Sequence, residues 1–326
     1  MIISFFEVNN IEKKKFKEKL KGNTLLFFNK PIQDINYTEY EKSDVISVFV
    51  HSKVNENTIG KCTNLKLITT RSTGIDHINI NFLKLKNIVL KNVALYGENT
   101  VAEHTFALIL SISRKIYKSY VKTLNSSSIT NELTGFDLKN KTIGIIGGGR
   151  IGLHVAHMAR SFGMHVRVYD IHEDKFLSEL INFKYVSFDE LLKTSDIISL
   201  HVPLNKDTIN IINKDTIAKM KHGVVIINTA RGGLINNEDL IDGLNSKKIL
   251  GAGLDVLDGE EFLFENSLPS IKNDNNIKDT AKIIIETKLL TNLPNVVITP
   301  HNAYNSIEAI NRIIDTTINN ILDFSY

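Results

Sequence analysis

The sequence predicts an α/β protein of two doubly wound parallel-sheet units. Three observations lead there. Short apolar runs of strand length recur along the chain, the segments between them have helical length and polarity, and the second series contains a glycine turn set between a strand and a helix. The 326 residues suffice for two domains that each bury a core.

In the first series the runs are IISFFEV, TLLFFN, VISVFV, LKLITTR and NIVLKNV, five strands of one unit that ends near Tyr96. A long helix is expected next, over TVAEHTFALILSISRKIYKSYVKTL, with Thr100 as N-cap and Glu103 at the third helical position. Its apolar residues Val101, Phe106, Ala107, Leu108, Leu110 and Ile112 cover more than one narrow stripe, which predicts burial on two sides. The polar stretch NSSSITNELTGFDLKN separates it from KTIGIIGGGRIGLHVAHMARSFGMHVRVYD, read as strand, glycine turn, helix, strand. Further strands are expected at DIISLHV, GVVIINTA, ILGAGLDV and NVVITPH. Residues 262–293 are the least regular part, read as an exposed insertion followed by a helix from Thr280 to Leu290. The closing segment NSIEAINRIIDTTINNIL repeats isoleucine at helical spacing, and periodicity alone allows it to pack on either unit.

Composition narrows the function classes. With 42% apolar and 23% charged residues and only 5 prolines, the chain is a folded globular protein. A net charge of +3 and one short basic cluster, Lys13 to Lys19, give no support to a nucleic-acid partner. Cys62 is the only cysteine, which rules out an intramolecular disulfide and a cysteine-based metal site; no metal is expected. The start MIISFFEVNN lacks the basic region of a secretory signal, and no apolar run reaches about 18 residues, so a cytoplasmic protein that does not enter membranes is expected.

The glycine turn reads GxGxxG at Gly147, Gly149 and Gly152, with Arg150 and Ile151 inside it. A dinucleotide site needs a tight turn at the first glycine, backbone approach to pyrophosphate at the second and close helix-to-strand packing at the third. The helix that follows aims its N-terminal amides at the phosphates. Gly148 is an extra glycine that the pattern does not demand. Asp170 ends the next strand, 18 residues beyond Gly152, where a carboxylate accepts from the adenosine ribose diol and repels a 2′-phosphate. This Rossmann-type unit predicts NAD rather than NADP. A merely structural glycine turn, with Asp170 as a cap, is the alternative.

Hydride chemistry at a keto carbon needs a proton donor, a cation for a carboxylate and a group that tunes the donor. His301 follows NVVITP, Arg231 follows VVIINTA, and Glu260 follows GLDVLDG, each just past a strand. An imidazole can give and take a proton near neutral pH. A guanidinium can hold a carboxylate with two parallel bonds. A carboxylate on the far ring nitrogen would orient the imidazole and favour its protonated form. Singly, each could be a cap, a turn residue or part of a solvated acidic patch; together, after three strands of one sheet, they point to catalysis.

The strings RSTGIDHINI, NVALYGENTVAEHTFALIL, GIIGGGRIG, HVPL, NTARGGLI, GLDVLDGE and TPHNAY run in order over almost the whole chain. Together they resemble the D-isomer-specific 2-hydroxyacid dehydrogenases, lactate-type members above all. The resemblance implies a flavodoxin-like substrate domain from residues 1–99 and 299–326, a Rossmann-type NAD-binding domain inserted as 100–298, and a homodimer formed through the helix beginning near Thr100. It implies that Arg231 binds the substrate carboxylate, that His301 is the acid/base and that Glu260 partners it. It also implies that the backbone at Thr73 and Gly74 meets the carboxylate, and that Thr229, Ala230 and Asp255 lie around the nicotinamide. His201 and Pro203 match cofactor-pocket positions, and Tyr96 matches an aromatic that closes on substrate, although a phenol there can equally be packing. His104 and His154 match nothing and are read as ordinary helix residues.

The reaction implied is reversible reduction of pyruvate by NADH to D-lactate, the D hand coming from the resemblance alone. Other small 2-keto and 2-hydroxy acids, branched or aromatic, and glyoxylate or hydroxypyruvate are alternatives that pocket volume would separate. An NAD(H)-sensing, corepressor-like interaction protein is the alternative of another class.

Overall fold

The computed structural model describes residues 1–125, 131–260 and 277–324, the side chains of 277–280 excepted. The chain forms two units, one of Met1–Tyr96 with Asn305–Tyr326 and the other of Gly97–Tyr304.

In the first unit the five apolar runs form strands β1 (Ile2–Phe5), β2 (Thr24–Phe27), β3 (Val45–Val48), β4 (Leu67–Thr70) and β5 (Val89–Lys91). They pair in parallel in the order β2-β1-β3-β4-β5. Every residue of β3 and β4 is buried, which is why these runs show no polar alternation. Helix α1 (Asn10–Lys19) starts from a reciprocal cap between Asn9 and Glu12. Short helices α2 (Glu56–Ile59) and α3 (Ile80–Leu85) fill the later crossovers.

Just past β4, Arg71 is 1% exposed. Its Nη2 donates to the carbonyls of Phe6 (2.7 Å) and Glu7 (2.8 Å), its Nη1 to Ser47 Oγ (3.2 Å), and its Nε lies 3.5 Å from Glu12 Oε1. One buried cation thereby ties the ends of β1, β3 and β4 to α1, and it anchors the start of the loop that holds Thr73 and Gly74.

The second unit opens with α4 (Glu98–Ser113) and α5 (Ile116–Leu124). Here the structure corrects the expected single helix in two places. The helix starts earlier than Thr100, with Gly97 as an N-cap that offers no side chain; the Gly97 carbonyl takes the first bond, from the Val101 amide. It also breaks at Lys115, which adopts φ +56. The reason lies in tertiary structure: the Ser113 carbonyl, which a continuous helix would offer to residue 117, accepts from the Phe136 amide at 2.9 Å.

There follow β6 (Thr142–Ile146), α6 (Arg150–Ser161), β7 (His165–Tyr169), α7 (Lys175–Ile181), β8 (Lys184–Tyr185), α8 (Phe188–Thr194), β9 (Ile197–Leu200), α9 (Lys214–Lys219), β10 (Val224–Asn228), α10 (Asn237–Asn245), β11 (Ile249–Leu254), α11 (Ile277–Asn292) and β12 (Val296–Ile298). The strands form a parallel sheet in the order β12-β11-β10-β9-β6-β7-β8. Of the region read at 262–293, residues 262–276 lie outside the described residues, and the helix expected from Thr280 to Leu290 is α11. Of the apolar residues expected to be buried in α4, Val101, Phe106, Leu108 and Ile112 are, Leu110 is half-buried and Ala107 is exposed; Phe106, Leu108, Ile109 and Ile112 sit in one core with β6, β7 and β10 residues. Gly253 of β11 makes this close approach possible, since a Cβ there would lie 2.9 Å from Leu108 Cβ.

The last helix, α12 (Ile307–Leu322), belongs to the first unit, which resolves the alternative left by periodicity. Ile314, Ile318 and Ile321 pack with Ile3, Phe5, Phe16 and Leu20. Chain 299–304 stays with the second unit, so His301 stands with the seven-stranded sheet and not with the returning tail.

Arg71→Ala is expected to destabilise the first unit by about 3–5 kcal/mol, the usual cost of stripping one partner from a buried ion pair. Urea unfolding followed by far-UV circular dichroism measures this, and a parental midpoint would show that the arginine is dispensable.

Candidate active site

Five strands of the second sheet deliver candidate residues just past their C-terminal ends. Gly147 follows β6, Asp170 follows β7, His201 follows β9, Thr229 to Arg231 follow β10, and Asp255 and Glu260 follow β11. The neighbouring edge strand, β12, adds His301. The order reverses between β6 and β9, and at such a switch point the connecting loops part and leave a crevice.

The glycine turn occupies that point. Gly147 takes φ +103, and a Cβ on it would lie 2.6 Å from the His201 carbonyl. At Gly152 a Cβ would fall 2.0 Å from the Gly147 carbonyl, so helix α6 could not close on the turn. Gly149 is the opposite case: a Cβ there meets nothing within 4 Å, and the residue caps α6 without a side chain. Open space in front of a helix N-terminus with no capping side chain is what a pyrophosphate requires, so the residues present fit NAD.

Gly148, which the motif leaves unexplained, is explained by packing. A Cβ there would stand 3.0 Å from Val168 Cγ1, and its amide donates to Asp170 Oδ2 at 2.6 Å. Asp170 Oδ1 accepts from the His172 amide at 2.9 Å. The acidic residue is thus bonded into the turn itself, and its charge stands beside the phosphate cradle. Arg150 Nη1 lies 3.6 Å from Glu98 Oε1, and Ile151 packs against the core under α4. His201 places Nε2 2.8 Å from Ser199 Oγ, and burial pushes its pKa down to about 3, so its ring is neutral at the crevice floor. Pro203 is exposed, its carbonyl accepting from Thr208.

At the other side of the switch point, Asn228 organises the loop that carries Arg231. Its Oδ1 accepts from the Ala230 amide (3.0 Å) and its Nδ2 donates to the Arg231 carbonyl (2.8 Å). The Arg231 guanidinium bonds the Ala230 carbonyl through Nη1 at 2.7 Å. Thr229 Oγ1 lies 3.0 Å from Thr105 Oγ1 of α4.

His301 Nδ1 lies 2.7 Å from Glu260 Oε1, and Glu260 Oε2 accepts from the Leu257 amide at 3.2 Å. Nδ1 is therefore committed to the carboxylate, and Nε2 is the ring atom available to exchange a proton. His301 has φ +48, a left-handed conformation that an L side chain disfavours. Its amide donates to the carbonyl of Asp255 at 2.8 Å. The Asp255 carboxylate, 1% exposed, takes the amides of Asn302 (3.0 Å, Oδ1) and Ala303 (2.9 Å, Oδ2) and the hydroxyl of Thr299 (2.5 Å, Oδ1). Thr299 and Asn228 were not among the expected residues. A polar residue inside or beside an apolar strand was their only signal.

The expected residues of the first unit lie on its own loop. Thr73 Oγ1 donates to the Val93 carbonyl (2.9 Å), Asn92 Nδ2 donates to the Thr73 carbonyl (2.8 Å), and Ser72 Oγ donates to the Gly74 carbonyl (2.7 Å). The Tyr96 carbonyl accepts from Arg312 Nε at 2.6 Å.

Comparison with known proteins identifies the family. Residues 106–303 match the family model for the NAD binding domain of D-isomer specific 2-hydroxyacid dehydrogenases. A 2-hydroxyacid dehydrogenase homolog of Schizosaccharomyces pombe is 35% identical over 100% of this chain and 96% of its own. An aromatic 2-oxoacid reductase of Clostridium sporogenes is 39% identical over 86% of this chain and 82% of its own. Among solved structures, D-lactate dehydrogenase from Aquifex aeolicus, complexed with NAD and lactic acid, superposes with a TM-score of 0.88 at 35% identity, covering 99% of this chain and 95% of that one. The chain belongs to the D-isomer specific 2-hydroxyacid dehydrogenase family, NAD-dependent enzymes that act on small 2-hydroxy acids.

Two outcomes follow from the site. Asp170→Ala removes the charge beside the phosphate cradle and should raise the efficiency with NADPH relative to NADH by about tenfold or more; an unaltered ratio in steady-state assays counts against the assignment. His201 has a folded pKa below its unfolded value of 6.5. The unfolded chain therefore binds a proton that the native ring refuses, and the stability this residue contributes is full above pH 6.5 and declines as pH falls below it. His201→Gln should flatten that acid decline in urea midpoints taken between about pH 7 and pH 4.

Proposed function

We propose that this chain is a D-lactate dehydrogenase that reduces pyruvate reversibly. The observation that carries the reading is the hydrogen bond between His301 and Glu260, set on a sheet edge where Arg231 stands two strands away. Two strand spacings are about 10 Å, a distance that two side chains can bridge around one small molecule. NADH, when bound, supplies the hydride that reaches C2. Arg231 pairs with the carboxylate and polarises the neighbouring carbonyl. His301 gives the proton on Nε2 to the carbonyl oxygen as the new C–H bond forms, and Glu260 stabilises the imidazolium beforehand. In the oxidative direction neutral His301 takes the hydroxyl proton back.

Likeness to a D-lactate dehydrogenase solved with NAD and lactic acid supports a methyl-sized substrate. By the resemblance of their motifs to the family, Thr73, Gly74 and Tyr96 are assigned to the substrate, and Thr229, Ala230 and Asp255 to the nicotinamide. The similarity to an aromatic 2-oxoacid reductase favours phenylpyruvate as the second reading.

The proposed enzyme is a cytoplasmic homodimer. Helix α5 exposes Ile116, Tyr117, Tyr120 and Leu124, each more than half accessible, and such a patch is covered at low cost by a second copy. Among the described residues no helix is long and apolar enough to cross a membrane.

NADH oxidation with pyruvate, 2-ketoisocaproate, phenylpyruvate, glyoxylate and hydroxypyruvate, with chiral analysis of the product, tests the reading; pyruvate should give the highest kcat/KM and D-lactate as product. Preference for phenylpyruvate would replace it with the aromatic reading. Arg231→Gln should lower kcat/KM about 100-fold with NADH affinity kept, and His301→Ala should lower kcat by about 10²–10⁴. Parental rates in either variant would remove that residue from the mechanism.

A further inference from the structure

Helix α4 touches the loops after β10, β11 and β12 through two consecutive residues. Thr105 meets Thr229 after β10. His104 Nε2 lies 3.0 Å from Thr299 Oγ1 after β12 and 3.3 Å from Asp255 Oδ1 after β11. The proton positions can be assigned. Burial alone would raise the Asp255 pKa, yet bonds from His104, Thr299 and the Ala303 amide outweigh it and hold the group below the usual carboxylate range. Asp255 is therefore ionised and only accepts. Thr299 spends its hydroxyl proton on Asp255, so its oxygen is free to accept, and both contacts of His104 require a proton on Nε2.

Asp255 in turn holds the backbone on which His301 depends. Its carbonyl takes the His301 amide and its carboxylate takes the next two amides, across a residue in the left-handed region. A loop in that conformation persists only where its surroundings over-determine it.

We propose that His104 is a positioning residue for the reaction: by donating from Nε2 to Thr299 and Asp255 it fixes the buried carboxylate that holds the His301 loop where Nδ1 meets Glu260. This rests on the assignment of His301 as acid/base. His104 touches neither reacting group, and it sets their geometry through two intermediates, Asp255 and the 301–303 backbone. By sequence alone it is an ordinary helix residue; this role rests on its contacts with Thr299 and Asp255.

The test compares His104→Gln, whose amide nitrogen reaches about as far as Nε2, with His104→Leu, which donates nothing, and His104→Asn, polar but too short. Two readouts are taken on the full chain: kcat for keto-acid reduction at saturating NADH, and hydrogen–deuterium exchange of the peptide spanning 299–304. In His104→Leu and His104→Asn we expect a drop in kcat of about 10–100-fold, the scale seen when an outer partner of a site is removed, with exchange in that peptide about tenfold faster or more. His104→Gln should bring both to within about threefold of the parent. If His104→Leu does not fold, His104→Asn carries the comparison. The proposal is overturned if the short or apolar variant keeps parental kcat, if kcat falls while exchange in 299–304 stays parental, or if His104→Gln is as impaired as the others. Exchange needs no substrate, so a parent that reduces none of the keto acids would defeat the functional reading and leave the structural half of this result standing.

Discussion

A buried, ionised carboxylate at the end of β11 is the interaction on which the loop carrying His301 depends. Asp255 can stay charged at 1% exposure only because His104, Thr299 and two successive amides are aimed at it. The same bonds oblige residues 301–303 to turn as they do. His301, the proposed proton-transfer group, is thereby carried on a backbone in the left-handed region, and its imidazole is bonded to Glu260.

Parallel pairing explains why so many candidate groups converge. All seven strands run the same way, so every loop at one sheet edge follows a strand C-terminus. The reversal of order beside β6 opens a gap there. The backbones of Gly147 and His201, at the ends of the paired strands β6 and β9, lie so close that the first has no room for a side chain. On one flank of the gap lies the pyrophosphate cradle with Asp170, and on the other lie Arg231, Glu260 and His301. The proposed cofactor and substrate groups thus differ in strand position.

Much of this was legible in the chain. Runs such as VISVFV and GVVIINTA are almost wholly apolar, Ser47 in the one and Asn228 and Thr229 in the other apart, because both sheet faces are covered, and that pattern is local. The three motif glycines could be assigned to separate demands in advance from their spacing alone, although the backbone that crowds Gly147 is that of the distant His201. What lay beyond reach involved partners distant in sequence. The break after α4 at Lys115 depends on where Phe136 crosses Ser113. Gly148 owes its lack of a side chain to Val168 on the neighbouring strand. His104 looked unremarkable because its meaning comes from residues 151 and 195 positions away, Asp255 and Thr299.

Sequence by itself determined the α/β class, the NAD-binding turn with its acidic partner, and the three groups suited to reduction of a keto acid. These rest on short-range periodicity and on residue chemistry, which need no knowledge of the fold. Tertiary structure alone decided that the terminal helix returns to the first sheet, that His301 stands with the second, and that a histidine on α4 meets Asp255 and Thr299. Those facts depend on which faces meet after the chain has closed on itself, and no local pattern records that.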